Sequence, residues 1–167
     1  MDRDSSVVPM GSSGLRRFDR GMTALTSPTA QSSPTALTAE DLEFLRRPLH
    51  GFLTVAGSQP RPVWFEAAAD GTIQLFSESD APKVRRVRRD PRASIVVAAP
   101  VGERERWVSV TGRVSIEPDG AHDLAARLAA RYWDLDDPAR AADLEAILKD
   151  DQVRLVIHPD TVRRYAY

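Results

Sequence analysis

Residues 107–116 read Trp-Val-Ser-Val-Thr-Gly-Arg-Val-Ser-Ile. In an extended chain Val108, Val110, Val114 and Ile116 share one face, while Trp107, Ser109, Thr111, Arg113 and Ser115 share the other. This is the period-two pattern of a half-buried strand, with Gly112 as a bend. Working towards the C-terminus, Ala121 to Lys149 reads as a helical insertion. Leu124, Leu128 and Tyr132 recur at helical spacing, and Leu144, Ile147 and Leu148 fall on a second helix after Pro138. The strand pattern returns at Val153, Leu155 and Ile157, which alternate with Arg154, Val156 and His158, and Thr161 to Tyr167 extends it.

Working towards the N-terminus, Ala93 to Ala99 is apolar on both alternating faces and predicts a strand covered on both sides. Thr72 to Ser77 is another strand. Pro62 to Ala69 forms one more, ending at the Asp70-Gly71 turn signal, and it makes a hairpin with Phe52 to Ala56 through Gly57-Ser-Gln-Pro60. Between strands, Ser79-Asp-Ala-Pro82 opens a short basic helix that Asp90-Pro91 closes. Order is expected to begin at Leu37, with a short helix after it. Thr38 and Asp41 make a capping-box start, Leu37 and Leu42 make a hydrophobic staple, and Pro48 ends the helix near Arg47. Strands joined by hairpins, each with a marked inner face, indicate a mainly β protein, a small antiparallel barrel with peripheral helices.

Composition narrows the function classes. The chain has 167 residues, 23 Lys+Arg against 24 Asp+Glu, 42% hydrophobic residues, three His and no Cys. That excludes disulfide scaffolds, thiol nucleophiles and Cys-based metal sites, and no metal site is expected. Near-neutral charge argues against nucleic-acid or membrane partners, and no apolar run approaches the roughly 20 residues needed to span a bilayer. A soluble, cytoplasmic protein is expected. Residues 1–36 are rich in Ser, Thr, Pro and Gly without apolar period and read as a disordered tail, leaving 37–167 as the folded domain. Arg16-Arg17 lacks the apolar segment of an export signal.

The densest charge feature is Lys83-Val-Arg-Arg-Val-Arg-Arg-Asp-Pro-Arg92, six basic residues against one acid. It follows Ser77-Glu-Ser79. Hydroxyls, the free N–H groups of a helix start around Lys83 and Val84, and the Lys83 charge together describe a phosphate site. The same run also reads as a solvated helical face with Val84 and Val87 packed inward. In Pro62-Val-Trp-Phe65 the two aromatics point to opposite faces, one towards the core and the other free for a cleft. Trp107 is a third large aromatic, at a surface or interface. No Gly-x-Ser-x-Gly elbow is present, none of His50, His122 and His158 reads as a base, and Asp137 is placed to cap the helix at Pro138.

In this order the pieces resemble the pyridoxamine-phosphate-oxidase-like flavin and deazaflavin oxidoreductases, which have a split β-barrel fold. Phe52-Leu-Thr-Val55, Arg61-Pro-Val-Trp-Phe65, Ser77, Lys83 to Arg92, Ala93-Ser-Ile-Val-Val97, Arg106 to Gly112 and Ala130-Arg-Tyr132 carry the similarity, over about 37–165. The resemblance implies a homodimer with cofactor sites at its interface, binding FMN or the deazaflavin coenzyme F420, the latter favoured. It implies that Pro62, Val63, Trp64 and Phe65 lie along the ring, that Ser77, Ser79, Lys83 and Val84 hold the phosphate, and that Arg86 and Trp107 contribute. Arg86 stands where many relatives have Asn. The activity implied is hydride transfer between the cofactor and a small conjugated or heteroaromatic molecule, with no catalytic side chain demanded. Alternatives are an FMN-dependent oxidoreductase of the same fold or a non-catalytic flavin- or haem-binding protein, with His50 or His158 as the haem ligand. Pyridoxamine phosphate oxidation itself is not expected, because the chain ends at Val162-Arg-Arg-Tyr-Ala-Tyr167 without the substrate segment of those enzymes.

Overall fold

The structure is a computed structural model that describes residues 36–167. The expected tail falls outside the described residues up to position 35. Helix α1 (Ala39–Leu45) begins at Thr38, whose hydroxyl accepts the Asp41 N–H at 3.1 Å while the Asp41 carboxylate accepts the Thr38 N–H at 2.8 Å. This is the reciprocal cap that the sequence spells.

Seven strands follow: β1 (Gly51–Val55), β2 (Arg61–Val63), β3 (Glu66–Ala67), β4 (Ile73–Glu78), β5 (Arg92–Ala98), β6 (Arg106–Glu117) and β7 (Gln152–Ala166). They form one antiparallel sheet in the order β2-β1-β5-β6-β7-β4-β3. Strands β2 and β3 are consecutive in the chain yet occupy the two outer edges, so the sheet curls until its edges are bridged by two residues, Trp64 and Phe65. This corrects the single strand expected over Pro62–Ala69. Pro62 has no N–H to give a second neighbour, so β2 pairs only with β1. Phe65 turns inward and is fully buried.

The core under the curl includes Leu53, Phe65, Leu75, Val84, Ile95 and Leu155. Strand β5 departs from the expectation of two covered faces. Ala93, Ile95 and Val97 are buried, but Val96 is 37% exposed beside its cross-strand partner Phe52 at 48%. An antiparallel sheet can leave one face outside. The long β6–β7 pair carries a bulge, because Thr111 faces Thr161 and Gly112 faces Pro159, leaving Asp160 extra. A Cβ on Gly112 would stand 1.9 Å from the His158 carbonyl oxygen. Glycine there permits the approach of the two backbones.

Helix α2 (Pro82–Arg89) buries Val84 and Val87 and turns its arginines outward. Helix α3 (Ala121–Tyr132) buries Leu124 and Leu128. Helix α4 (Pro138–Ile147), capped by Asp137 onto the Ala139 N–H at 2.9 Å, buries no residue. Its apolar side, Leu144 and Ile147, is only half-covered. Among the described residues no helix is long and apolar enough to cross a membrane.

Candidate functional site

The two-residue bridge between the sheet edges organises the site. Arg131 of α3 donates to the Phe65 carbonyl at 3.1 Å, and Arg127 pairs with Glu66 at 2.9 Å, so α3 clamps the bridge from behind. The Arg127 hydrogen bond holds the Glu66 carboxyl below its ordinary range. Trp64 stays half-buried, its ring stacked on Tyr132 with centroids 5.1 Å apart and planes within 4°. Trp133 meets it edge-on at 4.5 Å. The Tyr132 hydroxyl donates to the Leu49 carbonyl at 2.6 Å, and burial pushes its pKa up.

In front of Trp64 lies a cleft of about 450 Å³, walled by Trp64, Phe76, Pro62 and Val63 on its apolar side and by Ser77, Glu78, Lys83, Asp150 and Gln152 on its polar side. A second cleft of about 400 Å³ shares Pro62, Val63, Ala81 and Lys83 with the first. It adds Ser58, Gln59, Arg61 and Arg86, and no carboxylate lines it. Volumes of this size suit small ligands.

Lys83 stands where the two clefts meet. It is half-buried and, among the described residues, has neither an ion pair nor a side-chain hydrogen bond. Burial pushes its ammonium below the ordinary lysine range, and the Glu78 carboxylate partly restores it. Beside it Ser77 is 5% exposed and its Oγ has no partner. Helix α2 begins without a side-chain cap, Pro82 has no N–H, and the Lys83 and Val84 N–H groups point out of its first turn. The hydroxyl, ammonium and amide groups supply donors suited to an anion, and the Glu78 carboxylate lines the same cleft. A half-buried ammonium without an ion pair and an orphaned buried hydroxyl are each less costly when a ligand supplies the partner.

The structure brings together Pro62, Val63, Trp64, Ser77 and Lys83 on the first cleft, and Arg86 joins them on the second. Other expected residues stand elsewhere. The side chains of Phe65 and Val84 are in the core, which leaves only their backbone near the clefts. Ser79 donates its hydroxyl to the Asp151 carboxylate and lines a separate acidic recess. Trp107 lines neither cleft and stacks with Tyr165 on the outer face, centroids 6.2 Å apart. Among the other lining residues are Gln152 and Arg61, neither expected as a site residue, and His50, expected only as an alternative haem ligand. Arg61 directly precedes the Pro-Val-Trp-Phe segment and was findable as the nearest cation. Gln152 carries no local signal, since a glutamine at a strand start is ordinary. Among the described residues no group of three or more His, Cys, Asp or Glu is placed to hold a metal ion.

Comparison with known proteins gives a consistent picture of the fold. The family model described as pyridoxamine 5'-phosphate oxidase matches residues 37–165. A conserved hypothetical protein from Mycobacterium tuberculosis is 21% identical with a TM-score of 0.58, the match covering 81% of this chain and 88% of that one. A solved structure described as an F420 reductase is 25% identical with a TM-score of 0.55, covering 72% of this chain and 94% of that one. An FAD-binding protein from Mesorhizobium loti is 22% identical with a TM-score of 0.52, covering 78% and 96%. No curated protein matches the sequence.

Proposed function

This chain belongs to the pyridoxamine 5'-phosphate oxidase family, and from that premise we propose that it is an oxidoreductase that binds a phosphate-bearing flavin-type cofactor, coenzyme F420 in preference to FMN. One observation carries the reading: the unpaired ammonium of Lys83 and the orphaned hydroxyl of Ser77 line the same cleft as the Trp64 ring. A single ligand with a phosphate at one end and a flat ring at the other satisfies both. The residues present fit that group. Lys83, Ser77 and the Lys83 and Val84 N–H groups would hold the phosphate, and Pro62, Val63 and Trp64 would lie along the ring.

When bound in reduced form, such a cofactor supplies a hydride, that is two electrons and a proton, to a small conjugated or heteroaromatic molecule, which takes its second proton from water. The chain's own part is to bind, orient and exclude water. Trp64 is held rigid by Tyr132, and the clamped bridge fixes the backbone beside it. Arg61 and Arg86 in the second cleft favour the deazaflavin coenzyme, because its acidic tail extends beyond the phosphate and needs further cations. FMN would use the same phosphate contacts without them.

The proposal includes a homodimer that covers the site. Pro62, which lines both clefts, is the cross-strand partner of Phe52 on the outer face. That face continues through Val96 to Trp107 and Tyr165, the last 40% exposed. An apolar stripe of this kind suits a second copy of the chain. Titration of the purified protein with FMN and with coenzyme F420, followed by tryptophan and cofactor emission, tests the function. Micromolar binding that is weakened about tenfold or more in Lys83→Ala supports it, and no binding of either cofactor to folded protein overturns it. Sedimentation of Phe52→Glu tests the interface, with a monomer expected.

A further inference from the structure

The first cleft carries both signs of charge. It shares Lys83 with the cation-lined second cleft, and it shares Glu78 and Asp150 with a recess of about 450 Å³. That recess is lined by Glu78, Ser79, Asp80, Asp150 and Asp151, and no cation lines it. Neither Glu78 nor Asp150 has an ion pair among the described residues. The Asp150 backbone is pinned, because His122 Nε2 donates to its carbonyl at 3.0 Å.

A buried side chain adds an independent observation. Gln152 lines the cleft, is 6% exposed, and its Oε1 has no hydrogen-bond partner. Nε2 donates to the Ile147 carbonyl at 3.4 Å, which leaves Oε1 as the end of the amide without a partner. A buried carbonyl oxygen without a donor costs free energy that a ligand N–H or O–H would recover. Glu78 faces Gln152 directly across the β4–β7 ladder, so an acceptor and a carboxylate stand at neighbouring positions.

We propose that the substrate-binding end of the trough recognises a flat molecule bearing an amine, amidine or similar cationic N–H donor. The donor would meet Gln152 Oε1, and its charge would be balanced by Glu78 and Asp150. This inference rests on the oxidoreductase reading for the word substrate, but the acceptor-lined end can be tested without turnover. An anion belongs at Lys83 and a donor at Gln152, and Trp64 and Phe76 line the same cleft as both.

The test uses three probes of nearly one shape: benzamidine, a cation with donors; benzamide, neutral with a donor; and methyl benzoate, neutral with none. Each is titrated calorimetrically into the full-length protein saturated with phosphate, which occupies the Lys83 end. The expected order is benzamidine, benzamide, methyl benzoate, with about tenfold between the first and last. Gln152→Met should abolish the advantage of benzamide over methyl benzoate. Asp150→Asn, at an exposed position where folding is not at risk, should reduce that of benzamidine over benzamide. Equal affinities, or an order that survives both variants, overturn the proposal. Lys83→Ala, titrated with both cofactors, separates the two readings: unchanged cofactor affinity defeats the cofactor assignment, while a retained probe order keeps the donor-binding end.

Discussion

Trp64 lies flat against Tyr132, ring centroids 5.1 Å apart and planes within 4°, and the Tyr132 hydroxyl donates to the Leu49 carbonyl at 2.6 Å. The wall of the first cleft is thus set by a residue some seventy positions away in sequence. Removing the hydroxyl in Tyr132→Phe should cost about 1 kcal/mol and leave the stack in place. Tyr132→Ala should cost about 3 kcal/mol or more by leaving a cavity, and free the indole. Thermal melts measure the first effect. Tryptophan emission measures the second, with a red shift expected for the alanine variant only.

Lys83→Ala should weaken binding of a phosphate-bearing cofactor by about tenfold to a hundredfold, the range for a charge-assisted hydrogen bond lost from a part-buried site. The pH dependence has a definite sign. Burial lowers the Lys83 pKa, so the anion affinity it provides is full below that lowered value and is lost as pH rises through it, earlier than for a surface lysine. In the empty protein the sign reverses. The cost of a buried ammonium is present below the folded pKa and disappears as pH rises towards the unfolded value, so stability gains on the alkaline side. Binding isotherms and melts taken across the alkaline range check both.

Asp41 anchors α1 to β7. Its carboxylate caps Thr38 and meets Arg164 at 2.7 Å. Burial alone would raise its pKa, but the Thr38 N–H and the Arg164 guanidinium together hold it below the ordinary range. The stability it contributes is therefore present above the unfolded pKa, near pH ~4, and is lost as pH falls through the lower folded value. Asp41→Asn should cost about 1–2 kcal/mol at neutral pH. It should also flatten the acid limb of a stability profile measured by denaturant titration.

Gly112 allows the β6–β7 bulge, and a Cβ there would meet backbone, not a movable side chain, at 1.9 Å. Gly112→Ala should cost more than about 3 kcal/mol, because neither strand can retreat without breaking its ladder. Chemical denaturation is the direct measurement. A change within 1 kcal/mol would show that the bulge can relax.

Much of this was legible in local sequence. The Thr38–Asp41 cap, the alternation in β6, the start of α2 at Pro82 and the Asp137 cap are short-range patterns, and the local chain geometry determines them. Lys83 and Ser77 could be read as anion-site candidates because hydroxyl, ammonium and helix start lie within seven residues. Alternation placed Trp64 and Phe65 on opposite faces, and the structure shows which of the two is buried.

The sequence could not show that the chain leaves one sheet edge and joins the other between Val63 and Glu66. A period of two assigns a residue to a face and does not name the partner strand, which depends on how seven strands curl. That closure brings Arg61 and Gln152 to two adjoining clefts and sets the Tyr132 ring against Trp64, from three distant segments. By itself the sequence determined most of the elements, though not the break between β2 and β3, and it pointed to the candidate anion site. Only the tertiary structure decided which side chains surround that site, because burial and the pairing of polar atoms are properties of long-range packing.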